Sequence, residues 1–366
     1  MIAESQLVDA IRADLDDDAP RLVYADAIAA RDPERGELIA LQCAIAAAAL
    51  VRADAIAARR RVAALLAAHG DRWADLAGIA RHRTFERGFV HRVSADVAVF
   101  ADRGDELVAR APGLYRVELD HVDRASPDTL ERAARSPALR GVRMLGISNG
   151  VTAAIVDRFR RAGALPGLAG LALGQLGYRD PYLGELARAG ELTHLRELEL
   201  RILELAELAA LADAGVAPRR FFAYSPRPDS ALAASALGSL ARDAIDLGLL
   251  DRVGDLPAAT RARLRTAVVS LGDPTLPTVE LPELRQLHVV DSLFGRRADP
   301  RILEPLVAAR GIRPRELGIS THIPPGAIAA LAASPAGSAL EELDVRGTGH
   351  PPGNADASGF DGVVLR

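Results

Sequence analysis

The chain has 366 residues, of which 49% are hydrophobic and 26% are charged, and its formal net charge is −4. This composition excludes a disordered tail, a collagen and a small disulfide-stapled protein, and it predicts a soluble globular protein with a substantial core. All 45 basic residues are arginine, and 49 acids balance them. Nucleic-acid binding needs a basic excess that this chain lacks, so we expect no nucleic-acid partner.

The sequence contains no apolar run long enough to cross a membrane and no pair of cysteines. The N-terminal residues Met1–Glu4 become polar at once, and the longest apolar run, from Cys43 to Val51, is far shorter than the ~20 residues of a spanning helix. Cys43 is the single cysteine, which excludes a disulfide within one chain and indicates a buried thiol. We therefore expect a cytoplasmic protein with no membrane partner.

Residues 1–80 carry the start signals of helices. Asp16–Asp18 precede Pro20, and Asp32 begins the segment Asp32–Glu34, in which a proline follows an acidic cap. An alanine-rich helix is predicted from Arg52 to Ala68, with Gly70 as its stop. Apolar residues recur at three- and four-residue steps, which predicts three or four helices packed on one another. The charged residues between these apolar positions are interpreted as solvent-facing: Asp26, Arg31, Arg35 and Glu37.

Residues 81–113 are predicted to be a junction that covers the first repeat. The stretch Thr84–Val93 is typical of a short hairpin, which leads through Val97 to Phe100 into a helix. The open end of a repeat array exposes an unpaired strand edge over apolar surface, so such an array needs a cover.

From about residue 114 an apolar-x-apolar pair recurs after a polar or glycine-rich connection and a short helical stretch. The mean interval is about 25 residues, within the 20–29-residue period of leucine-rich repeats. Each unit offers one short strand and one return that cannot bury its apolar side alone, so stacked units make a continuous core. The pairs are Val117/Leu119, Leu145/Ile147, Leu171/Leu173, Leu198/Leu200, Phe221/Ala223, Ile245/Leu247, Ala267/Val269, Leu287/Val289, Leu317/Ile319, Leu343/Val345 and Val363/Leu365.

The repeats are irregular in one informative respect. Many such repeats have an asparagine after the strand that bonds the turn backbone, and this chain lacks it. Since buried backbone groups need partners, we predict helical returns with internal hydrogen bonds over residues 151–162, 181–189, 206–212 and 302–309. The units at Phe221, Ile245 and Ala267 are degenerate, and their register is uncertain from the sequence.

Two N-terminal segments carry a family resemblance. Asp17–Asp26 (DDAPRLVYAD) and Asp32–Gln42 (DPERGELIALQ) resemble the bacterial repeat-companion domain, and Trp73 and the hairpin stretch look like its continuation. The resemblance covers roughly residues 4–120, and it departs at Ala27-Ile28, where the family often has tryptophan and leucine. It implies an architecture, a helical cap on an irregular leucine-rich array, and no established activity.

One catalytic pattern is present. Gly146–Gly150 reads G-x-S-x-G between a strand and a helix, as in the nucleophile elbow of α/β-hydrolases. Every repeat unit supplies the same strand–turn–helix context, so a tight turn is the simpler interpretation, and a Ser148 hydrolase is the least favoured hypothesis. A hydrolase would also need an acid and a histidine. The candidate histidines are His194, His288, His322 and His350.

Metal and cofactor motifs are missing from the sequence. None of the eight histidines has a recognised metal spacing. The acidic cluster Asp14–Asp18 lacks the glycine and distal glutamate of a calcium loop. We expect no metal and no cofactor.

The remaining candidate residues are predicted to lie on the protein surface. Residues beside the apolar strand positions should project from the concave face of the sheet, and an aromatic pair amid charges is typical of an interface centre. A register shift by one residue would instead place Phe222 and Tyr224 in the core. The candidate protein-binding residues are Glu118, Asp120, Glu199, Arg201, Phe222, Tyr224, Asp246, His288, Asp344 and Arg346.

The sequence therefore predicts an α/β protein with three parts. They are a helical cap (1–80), a junction (81–113) and a leucine-rich-repeat-like solenoid of about eleven units (114–366), with a curved parallel sheet and a helical convex side. We expect a non-enzymatic scaffold that binds a protein partner, as a monomer or within a hetero-complex. The alternative is a regulated adaptor, sensor or protease substrate of a bacterial signalling or defence system, cut within Ser225–Ser230 or Gly347–Gly359.

Overall fold

The computed structural model describes residues 3–148, 151–174, 182–201, 205–224, 240, 242–250, 252–270, 273–290, 303–320, 327–344 and 364–365. The chain divides into two compact units, Met1–Asp180 (unit 1) and Pro181–Arg366 (unit 2). Each unit is an α/β structure whose sheet is mostly parallel.

Unit 1 begins with the predicted helices, α1 (Glu4–Ala13), α2 (Ala19–Ile28), α3 (Pro33–Ala46) and α4 (Arg52–Ala74). The Asp32 carboxylate caps α3 by accepting a hydrogen bond from the Arg35 backbone N–H at 3.2 Å. Gly70 does not end α4, which corrects the expected stop. Gly70 is buried inside the helix near the ring of Phe85, and α4 ends at Ala74, with Asp75 as its C-cap at a φ of 46°.

A hairpin follows the helices, as predicted. Strands β1 (His82–Glu86) and β2 (Phe89–Asp96) are antiparallel, and Arg87 (φ 49°) and Gly88 (φ 81°) make the turn between them. A Cβ at Gly88 would overlap Ile39 Cγ1 and lie 2.8 Å from Ile39 Cα, so glycine is required there. The Gln42 side chain donates to the Phe85 carbonyl (3.2 Å) and accepts from the Gly88 N–H (2.7 Å). The hairpin is therefore fastened to α3.

The rest of unit 1 continues the sheet. Strand β2 leads into α5 (Val97–Arg110), and then come β3 (Arg116–Asp120), α6 (Pro127–Ala134), β4 (Met144–Ile147), α7 (Ala153–Arg161) and β5 (Gly170–Leu173). Each strand from β3 onward is parallel to the one before it. Two inward rows run across these strands in uniform register: Val93, Val117, Leu145 and Leu171, and beside them Ala95, Leu119, Ile147 and Leu173.

Unit 2 repeats the same plan. Its elements are α8 (Tyr182–Arg188), β6 (Glu197–Arg201), α9 (Leu205–Asp213), β7 (Arg220–Tyr224), β8 (Ala244–Leu250), α10 (Ala258–Arg261), β9 (Leu264–Ser270), β10 (Gln286–Val290), α11 (Glu304–Ala308), β11 (Glu316–Ser320), α12 (Ala327–Ala332), α13 (Pro335–Ser338), β12 (Glu342–Asp344) and β13 (Val364–Leu365). Successive strands pair in parallel. Helices α7, α8, α9 and α11 confirm the four predicted helical returns.

The register of unit 2 is irregular at one place. Ile245 pairs with Leu264 and Leu247 pairs with Ala267, while Leu250 pairs with Val269. The two irregularities bring a third apolar residue of β8, Leu250, into the core opposite Val269, which the spacing of apolar pairs did not predict.

The predicted strand pairs lie in the core of both units. Every described member of the pairs from Val117/Leu119 to Leu317/Ile319 is at most 2% exposed, as is Leu343. Phe221 and Ala223 are fully buried, and Phe222 lies on the opposite face. The shifted register for this strand is therefore wrong. Val345 and Val363 lie outside the described residues.

The described part of the chain contains neither a candidate membrane-spanning helix nor a cluster of metal-ligating side chains. None of its helices combines the length and apolar character needed to cross a bilayer. No group of three or more potential metal-ligating side chains comes together there. Cys43, the single cysteine, is buried as predicted.

Candidate interaction surface

The outer face of each sheet carries the polar side chains that alternate with the buried pairs. In unit 1 this face presents Ser94, Asp96, Glu118 and Asp120, and strand pairing brings Ser94 beside Glu118 and Asp96 beside Asp120. Glu118 and Asp120 are both half-buried. The pairing sets the positions of these groups, because neighbouring strands of a sheet lie ~4.8 Å apart.

Asp120 is the centre of a hydrogen-bond network. Its carboxylate accepts from Ser94 Oγ and from Ser148 Oγ, each at 2.6 Å. Burial opposes ionisation of Asp120, but these two bonds, with help from His121 and Arg81, hold its pKa below the ordinary value. The network links three consecutive strands or strand ends, so Asp120 is fixed in place by its neighbours.

Glu118 is held in a second cluster. Arg92 on β2 donates to the Glu118 carboxylate, and Arg116 Nη2 lies 3.6 Å from the same oxygen. On the other side, Gly146 leaves room for this side chain, because a Cβ there would lie 3.2 Å from Glu118 Cγ. Gly146, the first glycine of the G-x-S-x-G pattern, thus has a packing role.

The Ser148 side chain is buried, whereas the serine of a nucleophile elbow is exposed. Its hydroxyl hydrogen-bonds the Asp120 carboxylate and lies 3.2 Å from the Leu119 carbonyl oxygen. The hydrogen bonds described for Ser148 Oγ include no histidine. His194 and His288 are exposed residues of unit 2, and Asn149, Gly150, His322 and His350 lie outside the described residues.

In unit 2 the outer face has one continuous row. Pairing places Phe222 between Glu199 and Asp246, and Phe222 and Glu199 are half-buried. Asp246 does not project into solvent, which corrects the expectation that it is available to a partner: only 1% of it is exposed. The reason is Arg220, whose Nε donates to Asp246 Oδ2 at 2.6 Å and whose own pKa is raised by this carboxylate against the effect of burial.

The remaining candidates are spread along unit 2. His288 is exposed on β10, and its ring lies against Gly318 of β11, where a Cβ would overlap it. Asp344 is half-buried at the end of β12. The structure describes only the backbone of Arg201 and Tyr224, and Arg346 lies outside the described residues, as do the segments Ser225–Ser230 and Gly347–Gly359.

Asp273 is a linking residue that the sequence analysis did not identify. Only 1% of it is exposed, and its carboxylate accepts from the Val253 N–H (2.7 Å), the Thr275 N–H (2.8 Å) and Thr275 Oγ1 (2.6 Å). It thereby bonds the turn backbone of the preceding unit, the role that asparagine has in regular repeats. The signal in the sequence is Asp273-Pro274-Thr275 after a strand, which is a local turn motif. The bond to the Val253 N–H, 20 residues earlier in the chain, has no local signal.

Comparison with known proteins gives little. No protein-family model and no curated protein matches the sequence. Among solved structures, the crystal structure of the Rad7 and Elc1 complex in yeast is 14% identical, with a TM-score of 0.47, covering 100% of this chain and 98% of that chain. Such a likeness is too distant to assign a partner or an activity.

Proposed function

We propose that this chain is a non-enzymatic protein-interaction scaffold, a leucine-rich-repeat-like solenoid that begins with a helical domain of the repeat-companion type. The observation that carries the proposal is the outer face of the sheet within each unit. Successive parallel strands there present charged and aromatic side chains in register, over a core of buried apolar pairs.

The contacts among these side chains hold them in place, which favours binding of a protein partner to this face. Arg92 with Glu118, and Ser94 with Asp120 and Ser148, hold one another across adjacent strands. A partner that binds them finds side chains already ordered, so less conformational entropy is lost on association. Repeat proteins use such extended faces to bind other proteins.

Unit 2 supplies the best candidate for the centre of the interface. Phe222 is a half-buried aromatic ring between Glu199, which is also half-buried, and Asp246, which is buried and paired with Arg220. Energetically dominant interface residues are commonly aromatic and surrounded by a polar rim. We expect a protein partner whose contact surface offers an apolar pocket for this ring and a group that complements Glu199.

The proposal is tested by affinity capture with the purified chain, followed by binding measurements with each captured protein in purified form. A variant carrying Phe222→Ala and Glu199→Arg should lose the partner while its circular dichroism spectrum is unchanged. Loss of both groups should weaken binding at least about thirtyfold, since central interface residues contribute about 2 kcal/mol or more.

The matched control is Glu185→Arg, the same charge change at an exposed position of α8 in the same unit. This variant should bind like the unmodified chain. Equal binding by the Phe222 and Glu199 variant would place the partner elsewhere and overturn the proposed surface.

A further inference from the structure

A cavity of about 390 Å³ opens in unit 1 among the helices, β2 and the end of α5. Four arginines line it, Arg31, Arg35, Arg72 and Arg110, together with the single acid Asp32. The sequence pattern predicts that Arg31 and Arg35 face solvent; Arg31 is exposed, and the prediction is wrong for Arg35, which is half-buried. Three of these arginines are paired with carboxylates: Arg31 with Glu4, Arg72 with Asp32, and Arg110 with Asp75 and Glu106. The cation without an ion pair among the described contacts is Arg35, and an unpaired cation in a cavity attracts anions.

Arg35 is the most unusual of these residues. Its guanidinium carbon lies 5.3 Å, 5.4 Å and 5.6 Å from the ring centroids of Trp73, Phe89 and Phe85. Rings at such distances stabilise a cation, yet burial still lowers the pKa of Arg35 to about 10, so the group stays charged at neutral pH. Its Nη1 is buried and has no hydrogen-bond partner among the described residues.

Asp32 does not supply the missing acceptor. Its carboxylate accepts from the Arg35 backbone N–H, from Trp73 Nε1 at 3.0 Å, and from Arg72 Nη2 at 3.2 Å to both oxygens. These bonds fix the positions of Asp32 and Trp73 and leave the Arg35 guanidinium with a donor to spare. A buried charged donor without an acceptor costs free energy. Because Arg35 lines the cavity, an acceptor that reaches its guanidinium through a shift of the neighbouring side chains would recover that cost.

Two other arginines can adjust to a ligand. Arg31 and Arg72 have 59% and 63% of their side chains exposed, and each is paired with a carboxylate, Glu4 and Asp32 respectively. Exposed pairs of this kind are weak, so either guanidinium can turn toward an anion at small cost. The site thus combines one fixed cation with mobile ones.

We propose that this cavity binds a small organic anion in which a carboxylate or phosphate group is joined to a planar ring. The oxyanion would accept from Arg35 and from an exposed arginine, because guanidinium groups match such oxygens in pairs. The ring would pack against Tyr24, Trp73 and Phe89, which line the same cavity. The volume is within the ~300–1,000 Å³ range of small-molecule sites.

The chain contains one tryptophan, so Trp73 emission reports on the site directly. Phenyl phosphate and benzoate are titrated against the full chain, with inorganic phosphate and benzyl alcohol as the charge-only and ring-only probes. We expect a saturable change with phenyl phosphate or benzoate at millimolar concentration or below. Which of the two binds more tightly identifies the oxyanion.

Variants separate the proposal from a structural role of Arg35. Arg35→Gln should weaken binding about tenfold or more, the value of a hydrogen bond to a charged group. Arg31→Gln, at an exposed position, keeps the fold even if Arg35→Gln does not, and should weaken binding about threefold. Arg140→Gln changes an exposed arginine of unit 1 outside the cavity and should leave the titration unchanged.

The proposal fails if none of the probes gives a saturable change, or if benzyl alcohol binds as tightly as the two anions. It also fails if Arg31→Gln binds like the unmodified chain while Arg35→Gln is folded and binds normally. Inorganic phosphate binding as tightly as phenyl phosphate would overturn the requirement for a ring. None of these results bears on the surface around Phe222, which shares no residue with this cavity.

Discussion

Polar groups link neighbouring strands on the outer face of both units, and unit 2 adds a buried link. In unit 1, Asp120 accepts from Ser94 and Ser148 where β2, β3 and β4 keep a uniform register. In unit 2, Arg220 donates to Asp246 on the outer face, and Asp273 is buried and holds the backbone of Val253. The buried link of unit 2 follows β9, the strand that pairs irregularly with β8, so the comparison shows a carboxylate placed inside where the register is broken.

The largest expected effect concerns a glycine of unit 1. Gly88→Ala should lower the free energy of unfolding by about 3–5 kcal/mol, because the new Cβ meets Ile39 side chain and backbone and the residue has a positive φ. Gly163→Ala is the control, since its φ is also positive (75°) and nothing lies within 4 Å; it should cost about 1 kcal/mol. Urea denaturation measures both. Equal losses would show that the contact with Ile39 is unimportant.

The buried link of unit 2 should come next. Asp273→Ala leaves the Val253 and Thr275 N–H groups without their acceptor, and we expect a loss of about 2–4 kcal/mol. Asp273→Asn keeps one of the two acceptor oxygens and turns its amide nitrogen toward either the Val253 or the Thr275 N–H, so it should cost about 1–2 kcal/mol, less than alanine. The difference is read from urea denaturation of the two variants. A loss as small for alanine as for asparagine would contradict the linking role.

The half-exposed link of unit 1 should matter less and should depend on pH. Asp120→Asn should cost about 1 kcal/mol at neutral pH, since water can replace the lost acceptors. Because the folded pKa of Asp120 is lowered from 3.8, its contribution is present above pH 3.8 and is lost as the pH falls through the lower folded value. The unmodified chain should therefore lose more stability than the variant below about pH 4. Parallel pH profiles would contradict this.

A glycine of unit 2 gives the smallest effect. A Cβ at Gly318 would overlap the ring of His288, and this overlap is as close as that between a Cβ at Gly88 and Ile39. His288 is exposed, however, and its side chain can rotate away, so Gly318→Ala should change stability by about 0.5 kcal/mol or less. Thermal unfolding checks the value. A loss above 2 kcal/mol would mean that His288 is fixed by its surroundings.

The elements that could be predicted from the sequence are those defined by local periodicity. The apolar pairs predicted the strands, and acidic caps before proline predicted α2 and α3. The predicted end of α4 at Gly70 is wrong because the sequence alone does not distinguish a glycine that ends a helix from one that packs inside it. The contact with Phe85 that explains this glycine is visible only in the structure. The register between β8 and β9 depends on pairing between distant residues, which a period of about 25 residues does not specify.

The candidate sites were predictable only in part. The alternation of side chains placed Glu118, Asp120 and Phe222 on the outer face, but the burial of Asp246 depends on Arg220 of the neighbouring strand. The sequence predicts that Arg35 faces solvent because it is a charged residue between the apolar positions of a helix. Its three rings come from α4 and the hairpin, 38 to 54 positions further along the chain, and no local pattern connects them.

The attachment of the hairpin to α3 affects the order of events during synthesis. Gln42 bonds both Phe85 and Gly88, and Phe89 belongs to the apolar cluster that includes Ile39 and Cys43. The four helices therefore lack part of their core until the hairpin has left the ribosome. Once it docks, β2 offers its free edge to β3, so each later strand can add to a template that already exists.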